Sequence, residues 1–408
     1  MLKPIHWQQR YARRTEQIRS SAIREILKLT QAPDVISFAG GLPAPESFPI
    51  EAIRDAADHV LTEIGAKALQ YYPTEGYSQL REMICDLIAE QGVQLSLENV
   101  LITSGSQQAL DLLGKVFINR GDHILVESPS YLGALQAFNA YGVEYISVPF
   151  DDEGMRADAL AEALRSGPKF IYLIPNFQNP TGITMSLKRR KEIIELAERF
   201  GVPIIEDDPY GKLRYEGEHI PSLLALDSQY RNESKSYNGN VIYLSTFSKT
   251  LAPGLRMAWI TAPAEVIRKF VIGKQGADLH SPTFNQFLTY EAAKDGALNK
   301  YIERTRQIYG ERRLVMLEAL EASFPEEVRW TRPEGGMFLW VTLPEGMNTR
   351  EILDKAIERK VAFVPGGYFH PNGGGENTMR LNFSNASPEN IRQGIARLGD
   401  VLKDAISQ

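Results

Sequence analysis

Between Val100 and Thr261, short apolar runs alternate with helix-spaced stretches. This alternation restricts the possible folds more than any other feature of the chain. Val100 to Thr103, Ile124 to Glu127, Tyr145 to Val148, Phe170 to Ile174, Ile204 to Asp207, Val241 to Leu244 and Trp259 to Thr261 each read as a strand. Strands separated by helices argue for an α/β domain with a mostly parallel, seven-stranded sheet. Ligands of such sheets sit beyond the carboxyl ends of the strands. The polar residues that follow those ends are Ser104 to Gln107, Tyr131, Asn179, Asp207 and Lys249.

One of these strand ends carries more chemistry than the others. Val241 to Leu244 runs straight into Ser245-Thr246-Phe247-Ser248-Lys249-Thr250-Leu251-Ala252-Pro253-Gly254-Leu255-Arg256. Most lysines are solvated surface charges, so a lysine closing an apolar strand needs a reason. An amine that can lose its proton forms Schiff bases with carbonyl compounds. The hydroxyls of Thr246 and Ser248 and the guanidinium of Arg256 suit a phosphate beside it. A ligand with both a carbonyl and a phosphate would satisfy the whole stretch. A lone S-x-x-S-K is better explained as a strand end with a stray lysine; the longer pattern is far more specific.

The full stretch S-T-F-S-K-x-x-x-P-G-L-R resembles the cofactor-lysine motif of the class I/II aminotransferases, fold type I enzymes that use pyridoxal 5′-phosphate. The resemblance covers essentially the whole chain, with its motifs in the family's order. It is closest to the 2-aminoadipate (kynurenine/aminoadipate) branch. The stretches that carry this are S-x-I-R-E-I-L-K-L-T around Arg24, F-A-G-G-L-P-A-P-E around Gly41 and L-Q-Y-x-P-T-E-G-Y around Tyr71. G-S-Q-Q-A-L-D-L at Ser106, K-Q-G-A-D-L-H at Lys274 and V-A-F-V-P-G-G near the C-terminus add to it. Tyr72 departs from the pattern, which has a serine there, and its bulk is expected to reshape the substrate entrance.

The resemblance implies a set of roles. Lys249 is the cofactor-bearing lysine and moves the substrate proton as general base and acid. Asp207 keeps the pyridine nitrogen protonated, so that the ring acts as an electron sink. Tyr210 and Asn179 donate to the phenolic oxygen, and Tyr131 stacks on the ring. Ser106 and Gln107, where a helix begins, hold the phosphate with Thr246, Ser248 and Arg256. Arg380, in N-T-M-R-L-x-F, takes the substrate α-carboxylate as a bidentate partner. Tyr71 reaches the phosphate of the other subunit, so the expected assembly is a homodimer with shared sites. Gly41 and Arg24 belong to the substrate pocket, with Arg24 on a short helix, read from Glu16 to Leu29, that covers the substrate side chain. Read as isolated residues, several of these are bland: Asp207 a helix cap, Asn179 a turn, Arg24 a solvated charge.

The sequence after Pro282 has a different pattern. Long helices over Phe284 to Ser323 are followed by the strands Val328 to Thr331, Met337 to Thr342, Val361 to Val364 and Thr378 to Phe383, consistent with a smaller α+β domain. The expected division is residues 1–50 as an N-terminal segment belonging to the small domain, 51–290 as the large cofactor-binding domain and 291–408 as the small domain.

Composition excludes several classes. With 45 basic and 51 acidic residues the net charge is −6, which gives no reason to expect nucleic acid or an anionic membrane as partner. No uncharged run is long enough to span a bilayer. The start of the chain lacks the apolar core of a secretory signal. The six histidines show no metal-ligand spacing. Cys85 is the only cysteine, which suits a reducing, cytoplasmic location. The expected activity is transfer of an amino group from an L-amino acid (2-aminoadipate, glutamate, aromatic or branched-chain) to 2-oxoglutarate or a related 2-oxo acid, by a ping-pong route. Two alternatives share the motifs: another pyridoxal-phosphate reaction, such as β-lyase, decarboxylase or racemase, and a non-enzymatic aminotransferase-like regulator. The second would need an N-terminal DNA-binding domain, for which too few residues precede Arg24.

Overall fold

The computed structural model describes residues 5–16, 18, 26, 34–232 and 236–407. Its centre is a large sheet with the spatial order Val100–Thr103, Ala258–Thr261, Val241–Thr246, Ile204–Asp207, Ile171–Leu173, His123–Ser128, Glu144–Asp151 and Gly154–Met155. Five consecutive strands of this order, from Val241–Thr246 to Glu144–Asp151, run parallel. Ala258–Thr261 lies antiparallel between its two neighbours. The seven expected strands are all present. An eighth, the two-residue Gly154–Met155, joins them as a short hairpin that folds back on Phe150 and Asp151. Gly154 itself has φ +104, the left-handed side that glycine tolerates best.

The strands Ile171–Leu173, Ile204–Asp207 and Val241–Thr246 are buried along their whole length. That is why they are continuous apolar runs rather than alternating ones: helices cover both faces. The helix Leu187–Phe200 shows how local sequence sets its ends. Ser186 accepts a hydrogen bond from the Arg189 backbone at the start, and Gly201 stops the helix at φ +64.

A second sheet is antiparallel, in the order Arg329–Trp330, Phe338–Thr342, Thr378–Asn382, Val364–Pro365. The single expected strand from Val361 to Val364 is split. Val361–Ala362 pairs in parallel with Ile36–Ser37, and Val364–Pro365 turns to pair with Met379 and Arg380. The run of long helices resolves into Thr283–Ala293 and Ala297–Ser323, separated where Asp295 and Gly296 take positive φ. Of the N-terminal helix expected over Glu16 to Leu29, only residues 16, 18 and 26 are described; Arg24 lies outside the described residues. Among the described residues, no helix is long and apolar enough to cross a membrane, and no His/Cys/Asp/Glu group is placed to hold a metal ion.

Candidate active site

The carboxyl ends of the parallel strands and the edge of the second sheet enclose a cavity of about 290 Å³. Gly41, Ser106, Gln107, Tyr131, Asn179, Asp207, Tyr210, Thr246, Ser248, Lys249, Arg256 and Arg380 all line it. Tyr71 does not: it is 77 % exposed, and its ring meets His280 edge-on. Tyr72, expected at the entrance, packs edge-on against Tyr77 and Phe287 and is not part of the lining.

Lys249 follows the strand Val241–Thr246 and projects its Nζ to within 3.0 Å of the Gly41 carbonyl oxygen. Burial, with the positive charges of Arg380 and Arg256, lowers its pKa to about 8. A substantial fraction of the amine is therefore neutral near pH 8, as a nucleophile or base must be.

The acids Glu206, Asp207 and Asp208 have separate tasks, because successive strand residues face opposite sides. Glu206 points away from the cavity and accepts from the backbone N–H groups of Leu223 and Leu224, where a helix begins. The helix-cap role considered for Asp207 thus belongs to its neighbour. Asp208 accepts from Asn176, Gly211 and Tyr243. Asp207 alone faces the cavity. Its Oδ2 accepts from the Tyr172 hydroxyl at 2.8 Å, while its buried Oδ1 has no partner. Burial raises the Asp207 pKa to about 7, with the Tyr172 hydrogen bond opposing and Asp208 reinforcing the rise. A cation against Oδ1 would reverse that shift.

At the other end, Gly105 takes φ +79 and leads into the helix Ser106–Phe117. A Cβ at Gly105 would collide with the guanidinium of Arg256, so glycine lets that arginine close over the helix start. The buried Ser106 Oγ has no partner. Thr246 Oγ1 accepts from the Ser248 N–H and lies 3.1 Å from the Met257 carbonyl, fixing the turn before the lysine. The Gln107 side chain donates to the Gly133 carbonyl and so braces the turn that carries Tyr131.

Arg380 sits on the central strand Thr378–Asn382, 2 % exposed, over the face of Phe338 at 4.2 Å. It donates to the Asn179 carboxamide at 2.8 Å and to the Ala39 carbonyl at 2.7 Å; its Nε has no partner. Asn179 in turn directs its Nδ2 toward the Tyr210 hydroxyl, 3.5 Å away.

Three buried, unpartnered polar atoms thus ring one cavity: a carboxylate oxygen at one end, a hydroxyl at a helix N-terminus at the other, and a guanidinium nitrogen. With a half-neutral lysine between them, they fit pyridoxal 5′-phosphate. Fold and site together define a pyridoxal-phosphate enzyme of fold type I.

The chain belongs to the class I and II aminotransferase family, whose model matches residues 33–398. It is 48 % identical over 407 residues to a 2-aminoadipate transaminase of Thermus thermophilus, covering 100 % of both chains. It is 47 % identical over 398 residues to aromatic-amino-acid aminotransferase 1 of Thermococcus litoralis, covering 96 % of this chain and 93 % of that one. Among solved structures it matches an alpha-aminoadipate aminotransferase of Thermus thermophilus complexed with N-(5′-phosphopyridoxyl)-L-leucine. The TM-score is 0.91 at 46 % identity, over 99 % of this chain and 100 % of that one.

Proposed function

We propose that this aminotransferase moves the amino group of an L-amino acid, with 2-aminoadipate, glutamate, aromatic and branched-chain amino acids as the donor class, to 2-oxoglutarate or a related 2-oxo acid. The observation that carries the reading is the convergence of Lys249 and Arg380 on one cavity, a neutralisable amine beside a buried guanidinium with an unpartnered Nε. The named relatives at 48 and 47 % identity support 2-aminoadipate and aromatic amino acids within that class.

Bound pyridoxal phosphate supplies the carbonyl that captures the amino group and the ring that accepts the electron pair. Asp207 Oδ1 would hold the proton on the pyridine nitrogen, and Tyr172 keeps that carboxylate oriented. Asn179 and Tyr210 would donate to the phenolic oxygen, and Tyr131 would cover the ring. Ser106, Ser248 and Arg256 would hold the phosphate, with Gln107 and Thr246 shaping the turns around it. Arg380 binds the substrate carboxylate and thereby sets Cα close to Lys249. The Lys249 amine would take the Cα proton and deliver it to the carbon on the other side of the amino nitrogen, two bonds away, and the same residue would serve the return direction. Donor and acceptor use one carboxylate site in turn, which makes the kinetics ping-pong.

Two further points belong to this reading. The exposure of Tyr71 suits a residue that completes the phosphate site of a second copy, in a cytoplasmic homodimer. The parallel pairing of Ile36–Ser37 with Val361–Ala362 supports assigning residues 1–50 to the small domain with 291–408, leaving 51–290 as the large one.

The test is a half-reaction without acceptor. Holoenzyme mixed with L-2-aminoadipate should convert to the pyridoxamine form with one equivalent of 2-oxo acid released per site. Release of carbon dioxide or ammonia, or racemised amino acid, would assign one of the other pyridoxal-phosphate reactions.

A further inference from the structure

The stretch Lys274 to His280 takes no part in the cavity, yet it contains one of the most completely buried charges of the chain. The Lys274 side chain is 0 % exposed. Its Nζ lies 2.7 and 2.8 Å from the two carboxylate oxygens of Asp278, and 2.9 Å from Gln108 Oε1. All three ammonium protons are thereby used. The same Asp278 Oδ2 accepts from Gln108 Nε2 at 2.6 Å and from Ser104 Oγ at 3.1 Å. Gln108 Oε1 also accepts from the Ser104 backbone N–H at 2.8 Å. Ser104 Oγ is within 3.1 Å of Ser281 Oγ as well.

These bonds fall on Ser104 and Gln108, the two residues that bracket Gly105-Ser106-Gln107. Gly105 is the left-handed turn under Arg256, Ser106 carries the unpartnered hydroxyl, and both Ser106 and Gln107 line the cavity. The Thr103 hydroxyl on the Gly105 carbonyl and the Gln107 side chain on the Gly133 carbonyl also hold the turn, but neither is charged. A glycine with no side chain is its pivot, and Ser106 must point inward without a partner in the protein. An ion pair more than 160 positions away in sequence fixes the turn from behind, as the separations of 166 and 174 residues show.

We infer that the Lys274–Asp278 pair is a positioning device for the phosphate end of the cofactor, acting through Ser104 and Gln108. It acts on geometry and on charge. Lys274 neutralises Asp278, which would otherwise present a carboxylate behind the first turn of a helix that must receive a dianion. The inference rests on the assignment of the Ser106 turn to the phosphate.

The experiment compares two ligands on protein stripped of cofactor: pyridoxal 5′-phosphate and pyridoxal, which lacks the phosphate. Lys274→Met should weaken pyridoxal phosphate about tenfold or more and change pyridoxal by less than about threefold. Ser104→Ala, which leaves the ion pair intact, should give a smaller loss of the same kind and serves if Lys274→Met does not fold. An equal loss with both ligands, or no loss with pyridoxal phosphate in either variant, would overturn the inference. Ser106→Ala is the separate control. If it fails to discriminate between the ligands, the phosphate assignment itself is wrong, whatever the other variants show.

Discussion

The guanidinium of Arg380 lies 2.8 Å from the carboxamide oxygen of Asn179, although 201 positions separate them in sequence. The contact joins the strand that would bind the substrate carboxylate to the residue that would contact the phenolic oxygen. Each charge-assisted bond of this kind contributes about 1.5–3 kcal/mol. With those roles, substrate binding and cofactor orientation would be coupled through this hydrogen bond. Asn179→Ala should raise the KM for amino acid as well as shift the cofactor absorption band. A band shift with unchanged KM would show that the two are independent.

Asp207→Asn should retain cofactor but lose most of the half-reaction rate, because an amide cannot hold the pyridine nitrogen protonated. Asp208→Asn should leave the rate within about threefold of wild type, since Asp208 is spent on Asn176, Gly211 and Tyr243. Stopped-flow absorbance on both variants decides it. Comparable losses would mean that the alternation of faces does not separate their roles.

The acids also show how much the sequence disclosed. Strand–helix alternation and the lysine stretch were legible, because burial on both faces imposes long apolar runs and because a strand-end lysine is unusual. The cavity lining was legible through motifs. Tyr172 was not: it sits inside the apolar run Phe170 to Ile174 and looks like core until the neighbouring strand aligns it with Ile205, beside Asp207. Phe338 was hidden similarly, as an aromatic beside a glycine pair that only the folded chain sets under Arg380. Which of three consecutive acids faces the ligand depends on strand register, which no local pattern states.

The lowered pKa of Lys249 has two consequences in the cofactor-free protein. Capture of pyridoxal phosphate should accelerate as pH rises through about 8 and level off above it. Stability should also rise from about pH 8 toward 10.5, because the unfolded lysine binds a proton that the folded one has lost. The full difference is on the order of 3 kcal/mol. Asp207 acts in the opposite sense at lower pH. Its folded pKa of about 7 exceeds the unfolded 3.8, so its contribution declines as pH rises between those values. Denaturant midpoints of wild type and Lys249→Met across pH 7 to 11, an interval of roughly four units set by these values, should converge at the alkaline end. Parallel curves would count against a lowered Lys249 pKa.

If Tyr71 completes the site of a second copy, mixing Tyr71→Phe with Lys249→Ala should restore activity through heterodimers with one intact site. Activity that persists undiminished in a monomer at high dilution would refute a shared site.

The resemblance places Arg24, outside the described residues, over the substrate side chain, where an arginine would pair with the distal carboxylate of acidic substrates and, as a dual-specificity lid, turn away for apolar ones. Arg24→Ala should lower kcat/KM for 2-aminoadipate and glutamate by roughly ten- to a hundredfold while sparing leucine and phenylalanine. Equal effects on both groups would leave Arg24 as an ordinary surface charge.

The central claim is that Lys249 carries the cofactor, and Lys274, a fully buried lysine, supplies the natural rival. Borohydride reduction of the holoenzyme fixes the cofactor to whichever lysine bears it, and peptide mass spectrometry then reads the site. The tag should fall on the peptide containing Ser248-Lys249-Thr250, at close to one per chain. A tag on Lys274, or on no lysine at all, would contradict the account.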